Sequence, residues 1–187
     1  MLLCFWLACT FVGDAAAQEF SSKPVMVTVP FAAGGPADII ARILAHGMSN
    51  ALDQQFVVEN TSGAGGTIGT AKVAASLPDG HSLMHVSHAA NVAFYPHLRY
   101  DPVKDFEPIG LVAESPMAFV ARKDFPANNF NEFVAYVKAN TEKMTHGFAG
   151  VGSASHLCSL LFLHAIDATV SGAPYKGTAP ALNDLMG

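Results

Sequence analysis

The sequence predicts an α/β protein of parallel strands and crossover helices, arranged as two lobes. Three observations predict it. Short apolar runs alternate with helix-period patterns along most of the 187 residues. Two elbows of small residues, at 31–35 and 152–156, each join a strand to a helix in successive α/β units, which places a cleft between two lobes. The composition, 51% hydrophobic and 13% charged, is enough for one good core or two small ones.

Residues 1–17 read as an exported leader rather than as fold. An apolar run from Met1 to Val12 is followed by Ala15-Ala16-Ala17, a small-residue cleavage pattern that places the cut near Ala17–Gln18. The run is too short for a membrane span, which needs about 20 apolar residues. Removing the leader takes away Cys4 and Cys9 and leaves Cys158, which alone makes no internal disulfide. Residues 18–114 are then expected to form a first lobe and 115–187 a second, with Ser115-Pro116 as the crossing point.

In the first lobe, VMVTV (25–29) reads as a strand and 37–51 as a helix with Ile39, Ile40, Ile43 and Leu44 inward. QFVVEN (55–60) is the next strand, followed by the glycine-rich turn TSGAGG. A helix over 67–76 is closed by the LPDG turn, and SLMHV (82–86) is the third strand. A tract rich in His, Tyr, Asn and Pro runs on to YDPVKDFEP. Beyond it, IGLVAE (109–114) and MAFVAR (117–122) are strand candidates. The spacing of Phe130, Phe133, Val134 and Val137 predicts a helix over 129–140. A strand over 144–148, a helix over 154–166 and the start of another helix after PYKG complete the chain.

The first elbow, PFAAGGP, has a physical meaning. A helix N-terminus presents unpaired N–H groups and about half a positive charge. Small residues at Ala32, Ala33, Gly34 and Gly35 let an anion approach that backbone. Ligands of open α/β sheets collect at the carboxyl ends of the strands. GSASH (152–156) repeats the arrangement, with Ser153 and Ser155 where an N-cap belongs. Carboxylate fits better than phosphate, because no G-x-x-x-x-G-K-[ST] occurs. GAGGTIG also has Ile68 where a dinucleotide fingerprint has its third glycine.

Other chemistries find less support. The net charge of −5 and the lack of a basic stripe argue against a nucleic-acid partner. His81, His85 and His88 lack the short-range partners of a zinc site, so neither metal nor cofactor is expected. GSASH lacks the closing glycine of a nucleophile elbow. Asp38, one turn into the first helix, reads either as a favourable helix-end charge or as a partner for a substrate ammonium group.

Taken together, SKPVMVTVPFAAGGPADIIAR, VVEN…GAGGTIG, LPDGHSLM, YDPVKDFEPIGLVAESPMAFV, GSASHL and PYKGTAPALNDLMG resemble the Bug family. These are the TctC-like periplasmic receptors of tripartite tricarboxylate transporters. The resemblance covers about 22–187 in unbroken order. It implies a type II periplasmic-binding-protein fold, a two-lobed Venus flytrap, incomplete in this chain because the family continues beyond Gly187. It also implies a monomeric, periplasmic, non-enzymatic receptor. Such a receptor captures a small organic acid (a mono- or dicarboxylate, an amino acid or an aromatic acid) and passes it to a membrane permease.

On residues, the resemblance implies that Phe31, Ala33, Gly34 and Gly35 cradle one carboxylate, partly through water. Gly152, Ser153, Ala154, Ser155 and His156 would hold the other. Asp38 matches a position that meets an amino group, and Ser87, His88 and Tyr175 would line the cleft. Thr61-Ser62 stands where the family commonly has Arg-Pro, and His81 where it has tyrosine. The competing readings are a small hydrolase using Ser153 or Ser155 with His156, and a truncated remnant that binds nothing.

Overall fold

The computed structural model describes residues 23–85 and 91–187. The leader at 1–17 and the cleft candidates Ser87 and His88 lie outside the described residues.

Parallel strand β1 (Val25–Val29) is the centre of the first sheet. Its apolar residues Val25, Val27 and Val29 are fully buried, and so is Thr28 on the opposite face. A strand covered on both faces carries such a continuous run, because no side chain is left to meet water. Thr28 satisfies its hydroxyl by donating to Glu59 Oε1 at 2.8 Å. β2 (Phe56–Asn60) and β3 (Ser82–Met84) flank β1, both parallel to it, in the order β2-β1-β3. Helix α1 (Pro36–Leu52) packs on β1 and β2, and α2 (Thr67–Ala74) on β1 and β3. Right-handed crossovers that step first one way and then the other put the two helices on opposite faces. Burying valines of this kind stabilises by about 1.5–3 kcal/mol each, so β1 anchors the lobe.

α1 turns a different face inward from the one its isoleucines suggest. Ala41, Ala45 and Asp38 are buried, Ala37 and Met48 pack against the core, and Ile40 and Leu44 are half-buried. Ile39 and Ile43 are 52% and 69% exposed. Alanine at the contact lets the helix backbone approach the sheet closely, and a bulky residue there would hold it away.

A short helix, α3 (Asn91–Phe94), opens the connecting tract. The strand candidates at 109–114 and 117–122 do not form strands. No neighbouring strand among the described residues takes up their backbone hydrogen bonds, and alternating apolar residues alone do not make a sheet. Ile109, Leu111 and Val120 consequently stand more than half exposed.

The second sheet pairs β4 (Thr145–Phe148) with β5 (Ser171–Pro174), parallel, from Thr145 opposite Ser171 to Phe148 opposite Pro174. α4 (Phe130–Ala139) precedes it, capped by Asn129, whose side chain accepts from the Glu132 N–H at 3.0 Å. α5 (Ala154–Ala165) is the crossover, and α6 (Thr178–Met186) follows β5 and packs on β4. α5 carries the half-buried Cys158 and leaves Leu161 exposed. No helix among the described residues is long and apolar enough to cross a membrane.

Candidate functional site

Strand order fixes where a site can form. The chain crosses from β1 to β2 on one side and returns to β3 on the other, so the crossovers diverge at the carboxyl end of β1. In open α/β sheets that divergence leaves a crevice for ligands. The first elbow, 30–35, occupies it.

The elbow is held from within. Asp38, 3% exposed, accepts from the Gly34 N–H (2.9 Å) and from Arg42 Nε (3.0 Å) on one oxygen. Its other oxygen accepts from Asn60 Nδ2 (2.9 Å) and lies 3.0 Å from a terminal Arg42 nitrogen as an ion pair, while that nitrogen donates to Asn60 Oδ1 (3.1 Å). Asn60, the last residue of β2, also donates to the Phe31 carbonyl at 3.1 Å. The Arg42 hydrogen bond is the largest influence on the Asp38 carboxyl; together with the Gly34 and Asn60 donors it outweighs burial and lowers the pKa from 3.8 to about 2.

The second elbow is also internally wired. Ser153 caps α5 by accepting from the His156 N–H at 3.2 Å, and the Ser153 and Ser155 hydroxyls lie 3.1 Å apart. Ser155 Oγ accepts from the Ala149 N–H at 2.9 Å, and His156 Nδ1 accepts from the Gly152 N–H at 3.2 Å. The His156 ring lies 4.3 Å from Phe148 and 5.0 Å from Phe94, centroid to centroid. Burial, then the nearby His146, pushes its pKa below the ordinary histidine value. Among the described residues neither serine hydroxyl is hydrogen-bonded to the imidazole. A serine nucleophile needs that base within reach, so the geometry gives the hydrolase reading no support.

The loops at the carboxyl ends of the two sheets touch one another. The Ala32 N–H donates to the Lys176 carbonyl at 2.9 Å, and the Tyr95 hydroxyl donates to the Val151 carbonyl at 3.2 Å. Gly65, in the turn after β2, lies so close to the loop after β4 that an added Cβ would sit 1.8 Å from the Val151 oxygen. Gly35 lies beside the start of α6, where a Cβ would be 3.9 Å from the Thr178 and Ala179 nitrogens. The carboxyl ends of both sheets therefore meet, and the N-termini of α1, α5 and α6 gather there. Helix geometry leaves the N–H groups of Ala37, Ala154, Ser155, Thr178 and Ala179 without intrahelical acceptors. None of these has another acceptor among the described residues. Free donors and three helix dipoles together favour an anion.

Of the residues expected in the site, Phe31, Ala33, Gly34, Gly35 and 152–156 lie on the two elbows. Tyr175 is only partly there: its hydroxyl donates to Asp184 at 2.7 Å on α6, while its backbone passes beside Gly150. Sequence reasoning missed Asn60, Arg42, Tyr95 and the 176–179 turn. The GTAP stretch, a glycine before a helix start, was the available signal for the last; a polar residue ending VVEN was a faint one for Asn60. Two surface hollows lie elsewhere, about 350 Å³ beside Phe119 and Phe133 and about 600 Å³ between 121–124 and the end of α6. Among the described residues no group of three or more His, Cys, Asp or Glu could hold a metal.

Known proteins resemble this chain in both sequence and fold. The family model described as Tripartite tricarboxylate transporter family receptor matches residues 40–187. A UPF0065 protein in the TAR-I ttuE-ttuC' intergenic region of Agrobacterium vitis is 45% identical over 92% of this chain and 50% of its own length. Protein BugT of Bordetella pertussis is 33% identical over 92% of this chain and 54% of its own. Among solved structures, periplasmic binding protein BugD superposes with a TM-score of 0.78 at 46% identity, covering 87% of this chain and 55% of that one. MatC from Rhodopseudomonas palustris with bound malate gives 0.82 at 42%, over 87% and 56%. A further R. palustris protein, with adipate, gives 0.74 at 31%, over 87% and 55%. The chain thus has the α/β periplasmic-binding-protein fold and spans about half the length of the relatives it matches.

Proposed function

This chain belongs to the tripartite tricarboxylate transporter receptor family, a family of binding receptors and not of enzymes, and we propose that it forms the acid-gripping part of an extracytoplasmic receptor. The ligand is a small organic carboxylate, delivered to the membrane permease of the transporter. The observation that carries this reading is the gathering of three helix N-termini, with free N–H groups, where the two parallel sheets meet. A dicarboxylate suits two elbows, and relatives hold malate and adipate.

In this reading Phe31, Ala33, Gly34 and Gly35 cradle one carboxylate, partly through water, and Gly152, Ser153, Ala154, Ser155 and His156 hold the other. Ser87, His88 and Tyr175 line the wall. Residues 18–114 and 115–187 are the two lobes, and 1–17 the export leader that brings the protein to the periplasm. Ligand binding stabilises the closed arrangement, and closure presents a surface to the permease.

Thermal melting with malate, adipate, citrate and glutamate tests the proposal. A ligand at a hundred times its Kd stabilises by about 2.7 kcal/mol, and a rise in Tm with at least one dicarboxylate is expected. A chain that melts cooperatively and responds to none of these acids overturns it.

A further inference from the structure

We infer that Asp38 is a positioning residue: with Arg42 and Asn60 it holds the 31–35 elbow in its anion-receiving shape and has no acceptor left for a ligand ammonium, so the site selects acids without an amino group. The inference rests on the carboxylate-receptor reading and deepens it by naming the substrate class.

The argument is one of hydrogen-bonding capacity. An ionised carboxylate offers about four acceptor positions. Three are taken by the Gly34 N–H, Arg42 Nε and Asn60 Nδ2, at 2.9–3.0 Å, and a terminal Arg42 nitrogen, ion-paired at 3.0 Å, occupies the remaining side of the carboxylate. The Asp38 side chain is 4% exposed, whereas its Arg42 partner is 53% exposed. An incoming ammonium would have to displace one of these donors from an almost fully buried carboxylate, and so break part of the hold on Gly34, Arg42 and Asn60. The same bonds shape the elbow. Gly34, at φ 80, is in the left-handed region, and its N–H is turned inward to Asp38 instead of toward the cleft. Asn60 fixes the Phe31 carbonyl on the other side of the bend, also through its Nδ2. What remains for a ligand at this elbow is its own donors, the N–H groups of Ala33, Gly35 and Ala37. Those suit a carboxylate and offer nothing to a cation.

The test pairs binding with amide exchange on the 187-residue chain. L-malate and L-aspartate differ only in a hydroxyl against an ammonium group. Titration calorimetry of the wild type is expected to show malate binding at least about tenfold more tightly, the factor set by one lost charge-assisted hydrogen bond. Asp38→Asn and Asn60→Ala should each speed exchange of the Gly34 N–H by about tenfold or more. Both should weaken the two acids in parallel, leaving their ratio unchanged. Asn60→Ala keeps the exchange arm decisive if the Asp38 variant fails to fold. The inference is overturned if Asp38→Asn weakens aspartate alone, or if Gly34 exchange is unmoved in both variants. Should the wild type bind neither acid, the selectivity is overturned, and the receptor reading falls with it only if adipate, citrate and glutamate also give no response, while Gly34 exchange still decides whether Asp38 holds the elbow.

Discussion

Gly65→Ala tests whether the loops after β2 and β4 meet in solution. Gly65 sits at φ 62, and a Cβ there would lie 1.8 Å from the Val151 oxygen and 2.9 Å from the Tyr95 hydroxyl. Real Cβ atoms keep at least 3.0 Å, so the loop after β4 must retreat by about 1.2 Å. That displacement breaks the Tyr95–Val151 bond and strains the Ala32–Lys176 bond nearby. The broken bond contributes about 0.5–1.5 kcal/mol, so the closed contact weakens by about that much, roughly 2- to 13-fold in population. The left-handed alanine adds about 1–2 kcal/mol of strain of its own. Gly80→Ala controls for that term. Gly80 has φ 81 and nothing within 4 Å of its added Cβ, so it pays the backbone cost without a clash. The assay is exchange of the Ala32 N–H, which donates across the junction. Faster exchange in Gly65→Ala with little change in Gly80→Ala is expected. Equal rates in the two variants would refute the proposed junction.

Three further outcomes follow from the site's chemistry. Asp38, with its carboxyl lowered from 3.8 to about 2, contributes stability that is complete above the unfolded value and fades as pH falls through the folded one; urea melts should lose about 2 kcal/mol between pH 5 and 2, and Asp38→Asn should lose less over that range. His156, whose pKa lies below the ordinary 6.5 through burial and His146, favours the neutral form; stability is full above 6.5 and should decline as pH falls toward 5, because a protonated Nδ1 cannot accept from the Gly152 N–H. Melting curves of wild type and His156→Asn check this, and identical pH profiles would count against it. Ser153→Ala removes the α5 cap and should cost about 0.5–2 kcal/mol in urea unfolding, whereas Ser76→Ala, at an exposed hydroxyl bonded only to the preceding turn, should cost less.

Much of this protein is written locally. β1, α1, β2, α2, β4, α5 and α6 were legible because their apolar spacing, capping residues and glycine stops are short-range signals, and both elbows were legible from Gly-Gly-Pro and Gly-Ser-Ala-Ser. The stretches 109–114 and 117–122 were misread for the complementary reason. Their alternation favours a strand, but a strand exists only where a partner takes its backbone bonds, and the partner is not local information. β5 was missed from the other direction: SGAP has no strand pattern and is ordered by pairing with β4. The inward face of α1 likewise depended on how close the sheet lies, which favoured Ala41 and Ala45 over Ile39 and Ile43.

The sequence by itself therefore determined most of the elements, the α/β class and a small-residue elbow before a helix in each of two units. Only the tertiary structure decided that Asp38 is spent on Gly34, Arg42 and Asn60, and that Gly65 and the 176–179 turn close the junction. The reason is physical. A donor's direction and a backbone's closest approach arise from segments far apart in the chain, brought together by the burial of β1 and the crossing of its helices.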